Sequence, residues 1–418
     1  MGLQEIVSAQ KKKGLGAVKK ISKDILFKAA FRELYARSAL LPVDRQKVLF
    51  VEYRLDHPSD NFRLIMRTLK KNRPDLKLHF HALERGTVSE LEFIRRCRSM
   101  LSDMATAGTV FLCDANEIVS CVDKRPETKV VQLWHACGAF KKFGLSTIGN
   151  KYGPDGDGMR SHPYYRGIDL VPVSSPEVTP CYAQAMGIEK EGVIRPLGVS
   201  RTDVFFDPDF KIRCAHRLHR HFPHTEGKKL ILYAPTFRGK PSEAQAPDGL
   251  DIAALRSALD QGAPAGGISV SEQIVLLIKH HPFVRQRPRI PASCEDSFAV
   301  DVTEDMEIEE LLAVSDVCVT DYSSLVFEYS LMNRPMLFFA YDLDDYNDWR
   351  GFYFPYEEMT PGDVVRTTDE LATHLRVILE ADERGEAPWK EEVEAFRQRF
   401  MSACDGQATG RILKEVFK

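Results

Sequence analysis

The chain has 418 residues, of which 44% are hydrophobic and 28% charged, with a formal net charge of −3. That length exceeds one ordinary core and suits two domains of comparable size, while the balance excludes a disordered chain and a membrane-embedded one. No run approaches the ~18–20 uninterrupted apolar residues of a transmembrane helix, and the first residues lack the apolar core and cleavage site of a signal peptide, so a cytoplasmic protein is expected.

The charge is unevenly placed. Between Lys11 and Arg37 stand nine Lys and Arg against Asp24 and Glu33, a local +7 that leaves −10 for the remainder. Leu15, Val18, Ile21, Ile25, Ala29 and Leu34 recur there at mostly three- and four-residue steps, with Lys19, Lys20, Lys23 and Arg37 between them. The spacing predicts an amphipathic helix, either lying in the interface of an anionic membrane or packed on its own domain with a solvated basic face. Nucleic acid is not the expected partner, because the rest of the chain is acidic and offers no basic-aromatic platform.

Short runs of Val, Leu, Ile and Phe follow, separated by helical patterns. In the first half, strands are expected near 47–53, 76–82, 109–113, 129–134, 169–173 and 192–197, and in the second near 229–234, 274–279, 297–302, 316–320 and 335–340. Such unbroken runs suit parallel strands covered by helices on both faces, which predicts an α/β protein of two doubly wound, Rossmann-like domains facing a cleft. The turn formers and charges of 198–228 place the boundary near residue 210, giving segments 1–40, 41–210 and 211–418, and Pro- and Gly-rich 239–268 reads as an excursion on the second domain. The nine cysteines are scattered, never spaced as Cys-x-x-Cys and often inside apolar runs, which fits free thiols in a reducing compartment rather than a structural zinc.

In open α/β sheets ligands bind beyond the carboxyl ends of strands, so the residues that follow each strand are the ones to inspect. His135, after Val130–Trp134, is placed to take a proton from an attacking hydroxyl, its rival reading being a core histidine bonded to backbone. Arg238, after Tyr233–Phe237, offers a planar fork for phosphate oxygens, or a surface salt bridge. In Lys279-His280-His281-Pro282 the adjacent rings point to different sides of an extended chain and no third ligand is at metal spacing, so His281 is read as a donor toward a departing phosphate and no metal is expected. Along Thr320-Asp321-Tyr322-Ser323-Ser324, Asp321 or Ser323 can cap a following helix whose first N–H groups suit a pyrophosphate, and Glu328 could accept from a ribose diol. The chain contains no Gly-x-x-x-x-Gly-Lys-Ser/Thr loop, no Gly-x-Gly-x-x-Gly after a strand and no Gly-x-Ser-x-Gly elbow, which disfavours ATPases, dinucleotide enzymes and α/β hydrolases.

At these positions the chain resembles the CDP-glycerol glycerophosphotransferase family, the teichoic acid primases and polymerases. The resemblance is carried in order by Trp134–Gly144, Tyr233–Arg238, His281-Pro282, Thr320–Ser324 with Phe327-Glu328, and Arg350–Tyr353. It implies a glycosyltransferase-B type fold, with the acceptor on the N-terminal domain and the CDP-polyol on the C-terminal one. It implies His135 as base and His281 on the donor phosphate, with Arg238, Thr320, Asp321, Ser323, Ser324 and Glu328 on the donor side, and no cofactor. The acceptor would be a lipid-linked polyprenyl-diphosphate saccharide or polyol phosphate, met by a peripheral protein on the inner face of the cell membrane. Ala136-Cys137 and Glu328 depart from the family's commoner Gly-Thr and Asp. Glycerol phosphate from CDP-glycerol is the first expectation, ribitol phosphate from CDP-ribitol the second, and sugar transfer from a nucleotide sugar the rival reaction.

Overall fold

The computed structural model describes residues 23–150, 156–239, 243–261 and 269–418. Strands β1 (Asp44–Glu52), β2 (Lys77–Ala82), β3 (Ala107–Leu112) and β4 (Lys129–Gln132) form a parallel sheet in the order β2-β1-β3-β4. The short strands β5 (Val171–Pro172) and β6 (Ile194–Arg195) pair with each other and continue from β4 through a parallel bridge between Val131 and Leu170. Val48 and Phe50 pack with Phe62, Ile65 and Phe111 on one face, while Leu49 and Val51 pack with Phe93, Cys97 and Leu101 on the other. Burial on both faces removes polar alternation, which is why β1, β3 and β4 stand out as apolar runs, while the edge strand β2 alternates.

The second sheet contains β7 (Lys229–Tyr233), β8 (Ile274–Ile278), β9 (Ala299–Asp301), β10 (Val317–Thr320), β11 (Met336–Phe339) and β12 (Asp363–Val365), all parallel, in the order β12-β11-β10-β7-β8-β9. Both sheets are doubly wound, and their strand order reverses between β1 and β3 and between β7 and β10. Each reversal opens a crevice beyond the strand carboxyl ends. The sequence reading did not anticipate β12: Asp363 and Val364 are exposed at the sheet edge, so no apolar run marks it.

The N-terminal helical stretch docks differently from its expected register. Leu15, Val18 and Ile21 lie outside the described residues. Of the remaining stripe, Ile25 and Ala29 are exposed and Leu34 is half-buried, whereas Phe27, Phe31 and Tyr35, one turn apart, are buried against the first sheet's helices. Three aromatic rings bury more apolar area than Ile, Ala and Leu, and that decides which face turns inward. Among the described residues no helix is long and apolar enough to cross a membrane.

The chain ends on the first sheet rather than the second. In the last helix, Ala408–Val416, Ile412 and Val416 join the Val48–Phe50 face. Asp203 accepts from the N–H groups of Ala408 and Thr409 at its start (3.0 and 2.8 Å), and Lys129 Nζ donates to the carbonyls of Glu415 and Val416 at its end (3.1 and 2.9 Å). Both contacts complement the helix dipole.

Candidate active site

β4 ends at Gln132, and two residues later Trp134 adopts φ +61°. A left-handed Trp costs energy that the surroundings must offset. Here its N–H donates to Gln132 Oε1 (3.0 Å), its carbonyl accepts from Asn61 Nδ2 (2.8 Å), and its indole stacks on Phe143 at 4.9 Å. The reversal delivers His135 to the surface of the crevice with its side chain 54% exposed and its ring stacked 4.3 Å from Trp134. His135 Nδ1 lies 3.0 Å from Asp114 Oδ1, just past the end of β3. Burial draws the Asp114 carboxyl upward, but the hydrogen bond and charge of His135, with Arg54, outweigh it and hold the group below its ordinary range. His135 is therefore not the core histidine of the rival reading.

The segment after His135 runs directly onto the second half. Gly138 has φ +59° and sits against the Phe327 ring, which a Cβ at this position would meet at 2.3 Å. Phe140 packs edge-on to Phe352 at 5.5 Å, Lys142 N–H donates to the Gly351 carbonyl (3.0 Å), and Lys141 Nζ donates to the Tyr346 hydroxyl (3.3 Å).

Arg238 is surrounded by carboxylates. Its Nε and Nη2 fork onto Asp342 (2.6 and 2.9 Å), Nη1 lies 3.0 Å from Asp321 and also donates to the Thr236 carbonyl, and the guanidinium carbon is 5.2 Å from both the Tyr322 and Tyr346 ring centres. A salt bridge does form, but buried rather than at the surface, with partners 83 and 104 residues away. Burial would lower the Arg238 pKa, and the two carboxylates raise it above the ordinary arginine value.

Thr320 and Asp321 are interior ties between β7 and β10. Thr320 Oγ1 donates to the Ala234 carbonyl (2.7 Å), and Asp321 Oδ1 accepts from the N–H groups of Thr236 and Tyr322 (2.8 and 2.6 Å). Ser323 and Ser324 are half-buried at the start of the six-residue helix Leu325–Ser330, where Ser323 Oγ accepts from Leu325 N–H at 3.4 Å. Glu328 is buried in an ion pair with Arg201, and its Oε2 has no hydrogen-bond partner.

His281 follows β8 and lies between Phe237 and Phe283, both rings at 4.7 Å. Its Nδ1 accepts from Phe283 N–H (3.2 Å), which in the neutral ring puts the proton on Nε2. His280 points inward as expected for the alternate side: its ring is buried, Nδ1 has no partner, and burial lowers its pKa. Contacts thus run continuously from the His135 loop through Lys141, Tyr346, Arg238 and Phe237 to His281. A cavity of about 500 Å³ adjoins this chain at Leu343, Asp344 and residues 352–357, and none of the expected site residues lines it. Among the described residues no three His, Cys, Asp or Glu side chains are grouped to hold a metal.

Sequence reasoning did not single out Asp114, Asp342 or Arg201. Asp114 follows a strand, so the rule that selected His135 could have selected it. Arg201 lies in the segment read as a boundary and carries no local signal.

The family described as CDP-Glycerol:Poly(glycerophosphate) glycerophosphotransferase matches residues 33–418. A teichoic acid ribitol-phosphate primase of Bacillus spizizenii is 35% identical over 378 residues, covering 90% of this chain and 92% of that protein. A teichoic acid glycerol-phosphate primase of the same organism is 26% identical over 373 residues, covering 89% of each. A variant of the wall teichoic acid polymerase TagF, soaked with CDPG, superposes with a TM-score of 0.73 at 22% identity over 98% of this chain and 97% of that one, a likeness of fold.

Proposed function

The chain belongs to the CDP-glycerol:poly(glycerophosphate) glycerophosphotransferase family, teichoic acid phosphotransferases, and from that premise we propose that it moves a polyol phosphate from a CDP-activated donor to a lipid-linked acceptor. His135 takes the proton of the acceptor's terminal hydroxyl. The resulting oxygen bonds to the β-phosphorus, the bond from that phosphorus to the bridging oxygen breaks, and CMP leaves with its electron pair. His281 offers an N–H to the charge on the donor phosphates, and the half-buried Ser323 and Ser324 line the nucleotide side, whereas Glu328, buried against Arg201, serves the packing of the two halves rather than a ribose diol. Arg238 holds the exits of β7 and β10 in place through Asp342 and Asp321, together with Thr320. The observation that carries this reading is the exposed His135 ring, backed by a carboxylate and mounted on a loop that binds the second half at Gly351.

Between the polyols, the relatives favour ribitol phosphate, since the ribitol-phosphate primase is 35% identical and the glycerol-phosphate primase 26%. This reverses the order expected from the motifs. A location on the inner face of the membrane is supported by the basic run from Lys11 to Arg37 and by the exposure of Ile25, Leu40 and Leu41 beside it. The test is CMP release by purified protein with a synthetic lipid primer. Faster release from CDP-ribitol than from CDP-glycerol is expected; the opposite order restores glycerol, and equal or faster turnover of a UDP-sugar replaces phosphotransfer by glycosyl transfer.

A further inference from the structure

His135 and Asp114 come from adjacent strands, β4 and β3, and meet at a side-chain nitrogen-to-oxygen distance of 3.0 Å. The two ends of this pair differ in environment: the carboxylate is 19% exposed and the imidazole 54%. One side is held and the other faces the crevice. Strand pairing sets the contact, because Leu112 lies opposite Gln132, and Asp114 and His135 follow within three residues of that register. Gln132 Nε2 donates to the Asp114 carbonyl (2.9 Å) while Gln132 Oε1 accepts from Trp134 N–H, so one side chain ties both exits together.

The carboxylate has no capping duty here. The neighbouring helix Glu117–Ser120 is capped by Asn116, whose Oδ1 accepts from the N–H groups of Ile118 and Val119 (3.0 and 3.1 Å). The titratable groups around the pair are Arg54 and Glu52 on the β1 side, the buried Cys113 at the end of β3, and Tyr165 beside Trp134. Arg54 favours the ionised carboxylate; Glu52, buried and raised in pKa mainly by burial, faces it as a weaker acid.

We propose that Asp114 is the positioning residue of this site: it accepts a hydrogen bond from His135 Nδ1–H, thereby placing the ring's lone pair on Nε2 toward the acceptor hydroxyl and stabilising the imidazolium once the proton has moved. A carboxylate on one imidazole nitrogen selects the tautomer that is basic at the other. This rests on His135 being the base.

Five proteins test it: wild type, Asp114→Asn, Asp114→Glu, His135→Ala and the double variant of Asp114→Asn with His135→Ala, each compared for CMP release and for binding of the CDP-polyol without acceptor. Asp114→Asn is expected to lower kcat by ~10²–10⁴-fold, since both tautomer control and imidazolium stabilisation are lost. The KM for the CDP-polyol should stay within about twofold, because the pair does not hold the donor. Asp114→Glu should recover most of the rate, and the double variant should be no slower than His135→Ala.

If His135→Ala turns over normally, the base assignment fails and this proposal with it. If His135→Ala is inactive while Asp114→Asn keeps its rate, the base stands and the positioning role is overturned. A double variant slower than His135→Ala likewise overturns it, since Asp114 would then act independently of the ring. Should Asp114→Asn fail to fold, long-range ¹H–¹⁵N spectra of wild type decide: His135 is expected to carry its neutral-state proton on Nδ1, and finding it on Nε2 refutes the proposal.

Discussion

A guanidinium after a strand end can grip phosphate or carboxylate, and the residue alone does not say which. In this protein Arg238 meets two carboxylates, and Asp342 in turn accepts from the Tyr322 hydroxyl at 2.9 Å. Removing the cation leaves Asp321 and Asp342 facing one another in a largely buried site, so Arg238→Ala should cost ~3–5 kcal/mol of stability in denaturant unfolding. An Arg238→Ala protein of unchanged stability that binds the CDP-polyol poorly would instead return Arg238 to the phosphate. The strand-end rule picks out the residue from sequence; what it holds depends on Asp342, which sits beyond the end of β11 and reaches Arg238 only because β11, β10 and β7 are neighbours.

At the scale of elements, the N-terminal helix docks one apolar face and leaves Ile25 exposed. The Phe27, Phe31 and Tyr35 face is docked, Lys23 pairs with the buried Glu117 carboxylate (2.7 Å), and Arg32 Nε donates to the Cys121 carbonyl (2.8 Å). Residues 23–38 are therefore part of the first body, and a deletion reaching residue 37 would strip three buried aromatic side chains worth roughly 1.5–3 kcal/mol each. Deleting residues 1–22 avoids that loss. It should abolish sedimentation with anionic vesicles at low salt and leave the unfolding midpoint within a few degrees of full length. Equal vesicle binding by the truncated and intact proteins would remove this segment from the membrane reading.

Over the whole molecule, the halves meet around a buried charged cluster. Arg201 pairs with Glu328 and lies 4.0 Å from Glu309, and Glu309 shares a hydrogen bond with Asp60 at the start of the helix Asp60–Asn72. Burial first, and the Asp60 carboxylate second, push the Glu309 pKa up to about 8 against the opposing charge of Arg201. A carboxyl raised in the folded state adds stability that is complete below its ordinary value of 4.5 and is lost as pH rises through about 8. Thermal unfolding should therefore show a midpoint that falls between pH 5 and 8, and Glu309→Gln should flatten that slope. A slope unchanged by Glu309→Gln would assign the pH dependence to other groups.

Most of the strands from β1 to β11 were legible in the sequence because covering both faces of a parallel sheet leaves a local mark, the unbroken apolar run; the edge strand β2, Lys77–Ala82, alternates instead. The strand-end rule then brought out His135, Arg238, His281 and the Thr320–Glu328 segment from chain order alone. Family membership was legible for the same reason, since its motifs sit on those exits. Tertiary structure alone decided the partners. Asp114 stands behind His135 because β3 lies beside β4, Glu328 meets Arg201 where the halves close, and the final helix returns to the first sheet because Ile412 and Val416 complete its open face. Apolar burial is written into each segment's own composition. The pairing of charges depends on which distant residues share a desolvated space, and only the folded sheet order determines that.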